Sequence, residues 1–177
     1  MFLGNLQVKQ KYEIYHSSDE VWDINKKENE QQERQKYLDN LFGTNHLHVF
    51  WSAYPLTYDT FVEAKLNFLD GRFVSTILLA QAFVEQVIRH RCGIGREFRH
   101  FPEILKIAKE KGFIPEHRYI SLCQEIQLIS RKSYAHVPIV KKDLNYEMIK
   151  EDAYTSIKIA TEFLELLVNT WETIREV

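Results

Sequence analysis

The sequence predicts an all-α protein, an up-and-down bundle of four to five helices carrying an N-terminal extension, and three observations lead there. After Pro55 the apolar residues recur at steps of three and four, the period of a helix with one buried face. Gly and Pro residues break this pattern where short helix-to-helix connections are needed. The final segment carries an unbroken stripe, Ile157, Ala160, Leu164, Leu167, Trp171 and Ile174, suited to packing lengthwise in a bundle or against a partner chain. With 177 residues, 45% of them hydrophobic and 13% aromatic, the chain can fill the core of one domain.

Residues 1–55 form the extension. Leu6, Val8, Tyr12 and Ile14 alternate with Gln7, Lys9, Lys11 and Glu13, a pattern for a short half-buried strand or an extended arm. Lys26 to Leu41 is rich in helix formers but almost without an apolar face until Tyr37, Leu38 and Leu41, which predicts a solvated helix docking only at its end. Gly43, Asn45 and Pro55 mark a connector in which Phe50, Trp51 and Tyr54 anchor onto the body, so no independent domain ends there.

Residues 56–177 form the bundle. Its first helix, Asp59 to Leu69, places Phe61, Ala64 and Phe68 on one face and stops at Asp70-Gly71. The second, Arg72 to about Cys92, repeats Phe73, Ile77, Ala80, Val84 and Val87, with Val74, Leu78 and Ile88 widening the stripe toward a centrally buried helix. Gly93 and Gly95 end it. Pro102 suits the first turn of a short helix facing Phe101, Leu105 and Ala108 inward, and Gly112 closes that helix. Pro115 opens the fourth, which carries Tyr119, Leu122, Ile126 and Ile129 and must end near Pro138, because Val137 before a proline is biased away from helical geometry.

The 23 Lys and Arg nearly balance the 25 Asp and Glu, so a net charge of -2 excludes a global field for a polyanion and makes any nucleic-acid site local. Cys92 and Cys123 lack the paired spacing of a zinc or redox motif and read as reduced structural thiols. No cleavable signal follows the first residues, and no stretch approaches the ~18 apolar residues of a membrane span. The expectation is a cytoplasmic protein with no membrane segment, no metal and no cofactor.

The residues for chemistry lie in ISRKSYAHVP, where Arg131 and His136 stand five positions apart at the end of the fourth bundle helix. At ~100° per residue, five steps put two side chains roughly 140° apart, so an unbroken helix would not converge them. Pro138 supplies the reason for the chain to leave the helix around Ala135 to Val137 and let the imidazole swing toward the guanidinium. Such a pair suits RNA cleavage. A histidine titrating near neutrality can move the proton of a 2′-hydroxyl or of the leaving oxygen, and arginine presents a planar fork to phosphate oxygens. The bland reading is a chance spacing, with His136 simply capping a helix C-terminus.

The segment RKSYAH resembles the Arg-x4-His motif of the HEPN superfamily, and AKLNFLDGRFVSTILLAQAFVEQVIRHR, residues 64–91, is similar to the first helix pair of HEPN domains. Together these cover about Phe61 to Trp171. The resemblance implies a homodimeric, metal-independent endoribonuclease leaving a 2′,3′-cyclic phosphate, with Arg131 and His136 catalytic, in a defence or toxin–antitoxin setting. Two positions depart from the pattern. Lys132 stands where the family often has Asn or Asp, and Pro138 stands where toxin members controlled by nucleotide attachment carry a tyrosine.

Supporting candidates are Glu85, which would orient Arg131 or His136 or else form a plain ion pair; Lys132, which would add phosphate affinity or else disturb the local hydrogen bonds; and Ser133 and Tyr134 as substrate contacts, Tyr134 being equally a core or interface ring. Arg89, Arg91, Arg96 and Arg99, with His90 and His100, concentrate positive charge around a Gly-containing loop, where Phe98 and Phe101 add stacking rings. This is an RNA-binding patch or solvated loop charge. The competing function is a non-catalytic HEPN-like module binding RNA or a partner protein, as an antitoxin or complex subunit. Docking of a partner through the C-terminal stripe would need the face from Ile157 to Ile174 to stay exposed in the monomer.

Overall fold

The computed structural model describes the backbone of residues 24–41, 55–95, 100–130 and 145–175, with side chains over 27–41, 55–95, 100–126 and 145–166. Among the described residues there are six helices and no strand: α1 (Ile24–Leu41), α2 (Pro55–Leu69), α3 (Phe73–Cys92), α4 (Phe101–Glu110), α5 (Glu116–Ser130) and α6 (Tyr146–Arg175). The protein is an all-α helical bundle. The arm expected over Leu6 to Ile14 and the anchors Phe50, Trp51 and Tyr54 lie outside the described residues.

α3 is the central element, packed chiefly against α6 and α2 and, at its far end, against α4. Its stripe does what the period demands: Phe73, Ile77, Ala80, Val84, Val87 and Ile88 are all buried. The stripe is narrower than expected at one end. Val74 is 41% exposed, because one step of about 100° past the buried Phe73 turns it off the face that packs on α2 and α6. Phe61, Ala64 and Phe68 of α2 are fully buried against it.

α2 begins at Pro55, four residues before Asp59, since a proline has no N–H to lose at a first helical position and its φ is already helical. Asp70, Gly71 and Arg72 then turn the chain back. Gly71 holds φ +74° and its N–H donates to Phe68 O at 3.0 Å, while Arg72 N–H donates to Asn67 O at 2.8 Å. A connection this short makes α2 and α3 antiparallel neighbours.

α3 stops as its glycine predicts. Gly93 takes a left-handed conformation, φ 58° and ψ 42°, and its N–H bonds Arg89 O. A Cβ at Gly93 would meet nothing within 4 Å, so the cost of a side chain there is backbone strain alone. Gly93→Ala should therefore lower stability by about 1 kcal/mol in denaturant unfolding, and Gly93→Asn by less.

α4 buries Ile104, Leu105 and Ala108, and α5 contributes Leu122 and Ile126, all to the same core as Phe61, Phe83, Val87 and Phe163. α6 starts at Tyr146, well before Ile157, with Asn145 Oδ1 accepting from Met148 N–H at 2.9 Å. Ile157, Ala160 and Leu164 are buried within the chain itself, so over these positions the C-terminal stripe is core and offers no free face to a partner. No helix among the described residues is long and apolar enough to cross a membrane.

α1 docks through Tyr37, Leu38 and Leu41 at its end as expected, and its attachment extends one turn further back. Leu38 is buried with Phe68, Phe73, Ala153 and Ile157, and the Tyr37 and Tyr154 rings meet edge-on at 4.7 Å. One turn earlier, Arg34 is equally buried, donating from Nε and Nη2 to Leu69 O at 3.0 and 2.9 Å. It meets an orphan carbonyl at the C-terminus of α2.

Candidate functional site

α5 is the helix that leads to the motif. It is oriented by Leu122 and Ile126 in the core and by contact with α4, and its last described residue, Ser130, immediately precedes Arg131 in sequence. Arg131, Lys132, Ser133, Tyr134 and His136 lie outside the described residues, as do Arg96 and Arg99. Pro138 does too. The site is therefore defined by the elements that approach it.

Three helices come together near the end of α5. Ala80, Gln81 and Val84 of α3, Ile126 of α5, and Ser156 and Ile159 of α6 line a common void of about 10 Å³, roughly one water in size, beside Phe101. Ile126 stands five positions before Arg131, and Val84 is the neighbour of Glu85. The Ser156 hydroxyl is buried without a hydrogen-bond partner among the described residues, the kind of group an ordered water satisfies.

Glu85 is half-buried on α3 and pairs along its own helix, accepting from Arg89 Nε at 2.8 Å. Arg89 also donates from Nη1 to Gly95 O at 2.6 Å, tying the turn after α3 back onto the helix. Arg91 lies over the Phe113 ring at 6.0 Å, and Lys111 Nζ donates to Cys92 O. Arg89, His90 and Arg91 occupy the last turn of α3, where the negative end of the helix dipole favours cations. The basic cluster read from sequence thus has structural work in its described members. RNA contact would be additional.

An arrangement that sequence reasoning did not find joins α5 to α6. Arg118 Nη1 and Nη2 bond the two oxygens of Glu125, each at 3.0 Å, while Nε and Nη2 bond Glu162 Oε2 at 2.9 and 2.6 Å. Nη1 also donates to Ser121 Oγ at 2.8 Å. Burial alone would pull the guanidinium down, but its bonds to Glu125 and Glu162 outweigh this and raise its pKa, so it stays charged. The Arg118–Glu125 spacing of seven is visible in sequence as one helical face; the Glu162 partner is forty-four positions away and is not.

Cys92 and Cys123 are unbridged, and burial pushes the Cys92 thiol up, against the direction a nucleophile needs. The class these elements define is an all-α bundle. The chain matches no protein-family model, no curated protein and no solved structure.

Proposed function

We propose that this protein is a metal-independent endoribonuclease of the HEPN type, acting as a homodimer in the cytoplasm in a defence or toxin–antitoxin setting. The observation that carries the reading is the segment RKSYAH, which follows directly on α5 in an all-α bundle. The shared core supports it, since Val84 beside Glu85 and Ile126 before Arg131 belong to one buried cluster.

In the proposed reaction the ribose 2′-oxygen attacks phosphorus and the 5′-oxygen leaves, giving a 2′,3′-cyclic phosphate and a 5′-hydroxyl end. His136 takes the 2′-hydroxyl proton or supplies one to the departing oxygen. Arg131 holds the non-bridging oxygens as charge builds on them. DNA lacks the attacking hydroxyl and is spared.

The test is incubation with total cellular RNA in EDTA, with end-group analysis of the products. Wild type should cut RNA and leave single-stranded DNA intact, and Arg131→Ala and His136→Ala should each lose about 10²- to 10⁴-fold in rate. Equal degradation by all three chains would remove the assignment. RNA left intact by the wild type would favour the non-catalytic module that binds RNA or a partner protein.

A further inference from the structure

A second site is built where α1 crosses the α2–α3 turn, on the side of the molecule that holds Tyr146. Lys27, Glu30, Arg34, Asp70, Gly71 and Tyr146 line an open cavity of about 370 Å³, within the range of small-ligand sites. Arg34 is 3% exposed, and its guanidinium is fixed from the far side by Leu69 O and by the Phe73 ring at 5.8 Å. That leaves Nη1. It is buried and has no hydrogen-bond partner among the described residues. Such an unsatisfied charged donor is costly unless something accepts from it.

Glu30 is the nearest acid, but its Oε2 stands 3.6 Å from Nη1, beyond hydrogen-bond distance. Its side chain is 27% exposed, so it borders solvent. Asp70, the other acid of the lining, is half-exposed and stands 3.6 Å from Arg72 Nη2. Gly71 precedes α3 by two residues, so the positive end of a twenty-residue helix lies beside the cavity, and Arg72 at its N-cap makes no side-chain capping bond. Tyr146 adds a hydroxyl held protonated, its pKa raised by burial and by Glu30.

We infer that this cavity is an oxyanion site for a small phosphate monoester, with Arg34 Nη1 and Lys27 as the cationic donors and Glu30 as the side chain the phosphate displaces. A phosphate offers the Nη1 donor the short charge-assisted bond that Glu30 does not make. Nothing in this inference depends on the nuclease reading. Arg34 itself is left unchanged in the test, because it also holds α1.

The probe is inorganic phosphate, titrated into the full chain by calorimetry against chloride at matched ionic strength. Wild type should bind phosphate and not chloride. Glu30→Ala, which uncovers Nη1, should bind about tenfold more tightly, and Lys27→Gln about tenfold more weakly. Lys106→Gln, on exposed α4 surface, should match wild type. If Glu30→Ala shows no gain, or if Lys27→Gln binds as wild type does, the site is not an oxyanion site. Absence of phosphate-specific binding in both wild type and Glu30→Ala overturns it equally, once circular dichroism shows the bundle intact.

Discussion

Phe83→Ala should destabilise the protein by about 3–5 kcal/mol, the range for removing a large aromatic side chain from a core. Phe83 is fully buried at the middle of α3, and its ring centroid lies 4.8 Å from that of Phe61 at a tilt of 43°. The loss combines three contributions: transfer of the ring to water, a cavity the neighbours cannot fill, and the aromatic pair itself, about 0.5–1.5 kcal/mol. Phe83 shares one buried cluster with residues of other helices, among them Phe61 of α2 and Ile104 and Leu105 of α4, so collapse would have to shift whole elements. Against a total stability of about 5–15 kcal/mol, this is a large fraction. Urea unfolding should show the midpoint fall with little change in slope, while Leu66→Ala, at a side chain 56% exposed on α2, should stay within about 0.5 kcal/mol of wild type. A Phe83→Ala loss below about 1 kcal/mol would mean that α3 is not the centre of the bundle.

The features legible in the sequence are those that one helix decides by itself. Phe61, Ala64 and Phe68 share a face at three- and four-residue spacing and are all buried; Gly93 ends α3 because a left-handed residue is needed there. The features missed are those that need a second element to exist. Arg34 reads as one more charge in a polar helix, and only the carbonyl of Leu69, thirty-five positions away, makes it a buried anchor. Glu162 becomes a partner of Arg118 only when α6 passes α5. Val74 lies on the flank of its stripe, and only the packing of the neighbouring helices decides that this flank is exposed while Phe73 beside it is buried. The candidate site divides the same way. Glu85 carries both readings in the sequence, and its ion pair with Arg89 lies four positions away on the same helix. The convergence of Arg131 with His136 depends on how the backbone departs after Ser130, which periodicity cannot specify and which lies outside the described residues.

The Arg34 anchor carries the second large effect. Replacing it with Met keeps most of the apolar stem and removes the fork, so Leu69 O at the end of α2 loses both donors and the positive charge that complements the helix C-terminus. Hydrogen bonds from a charged donor contribute about 1.5–3 kcal/mol, and the contact with Phe73 adds to them. A loss of about 2–4 kcal/mol is expected. Its distribution matters more than its size. Among the described residues α1 is otherwise attached chiefly by Leu38 in the core, with Leu41 beside it, and by Tyr37 Oη donating to Tyr154 O at 3.4 Å, so the loss falls on the docking of α1 before it falls on the bundle. Hydrogen exchange followed residue by residue should show the amides of α1 exchanging at least about tenfold faster in Arg34→Met, with those of α3 nearly unchanged. Arg34→Lys should recover only part of the protection, because one ammonium cannot reproduce two directed bonds to a single carbonyl together with the guanidinium's contact with Phe73. Equal acceleration in α1 and α3 would make Arg34 part of the cooperative core, and unchanged exchange in α1 would show that Leu38 and Tyr37 hold the helix without it.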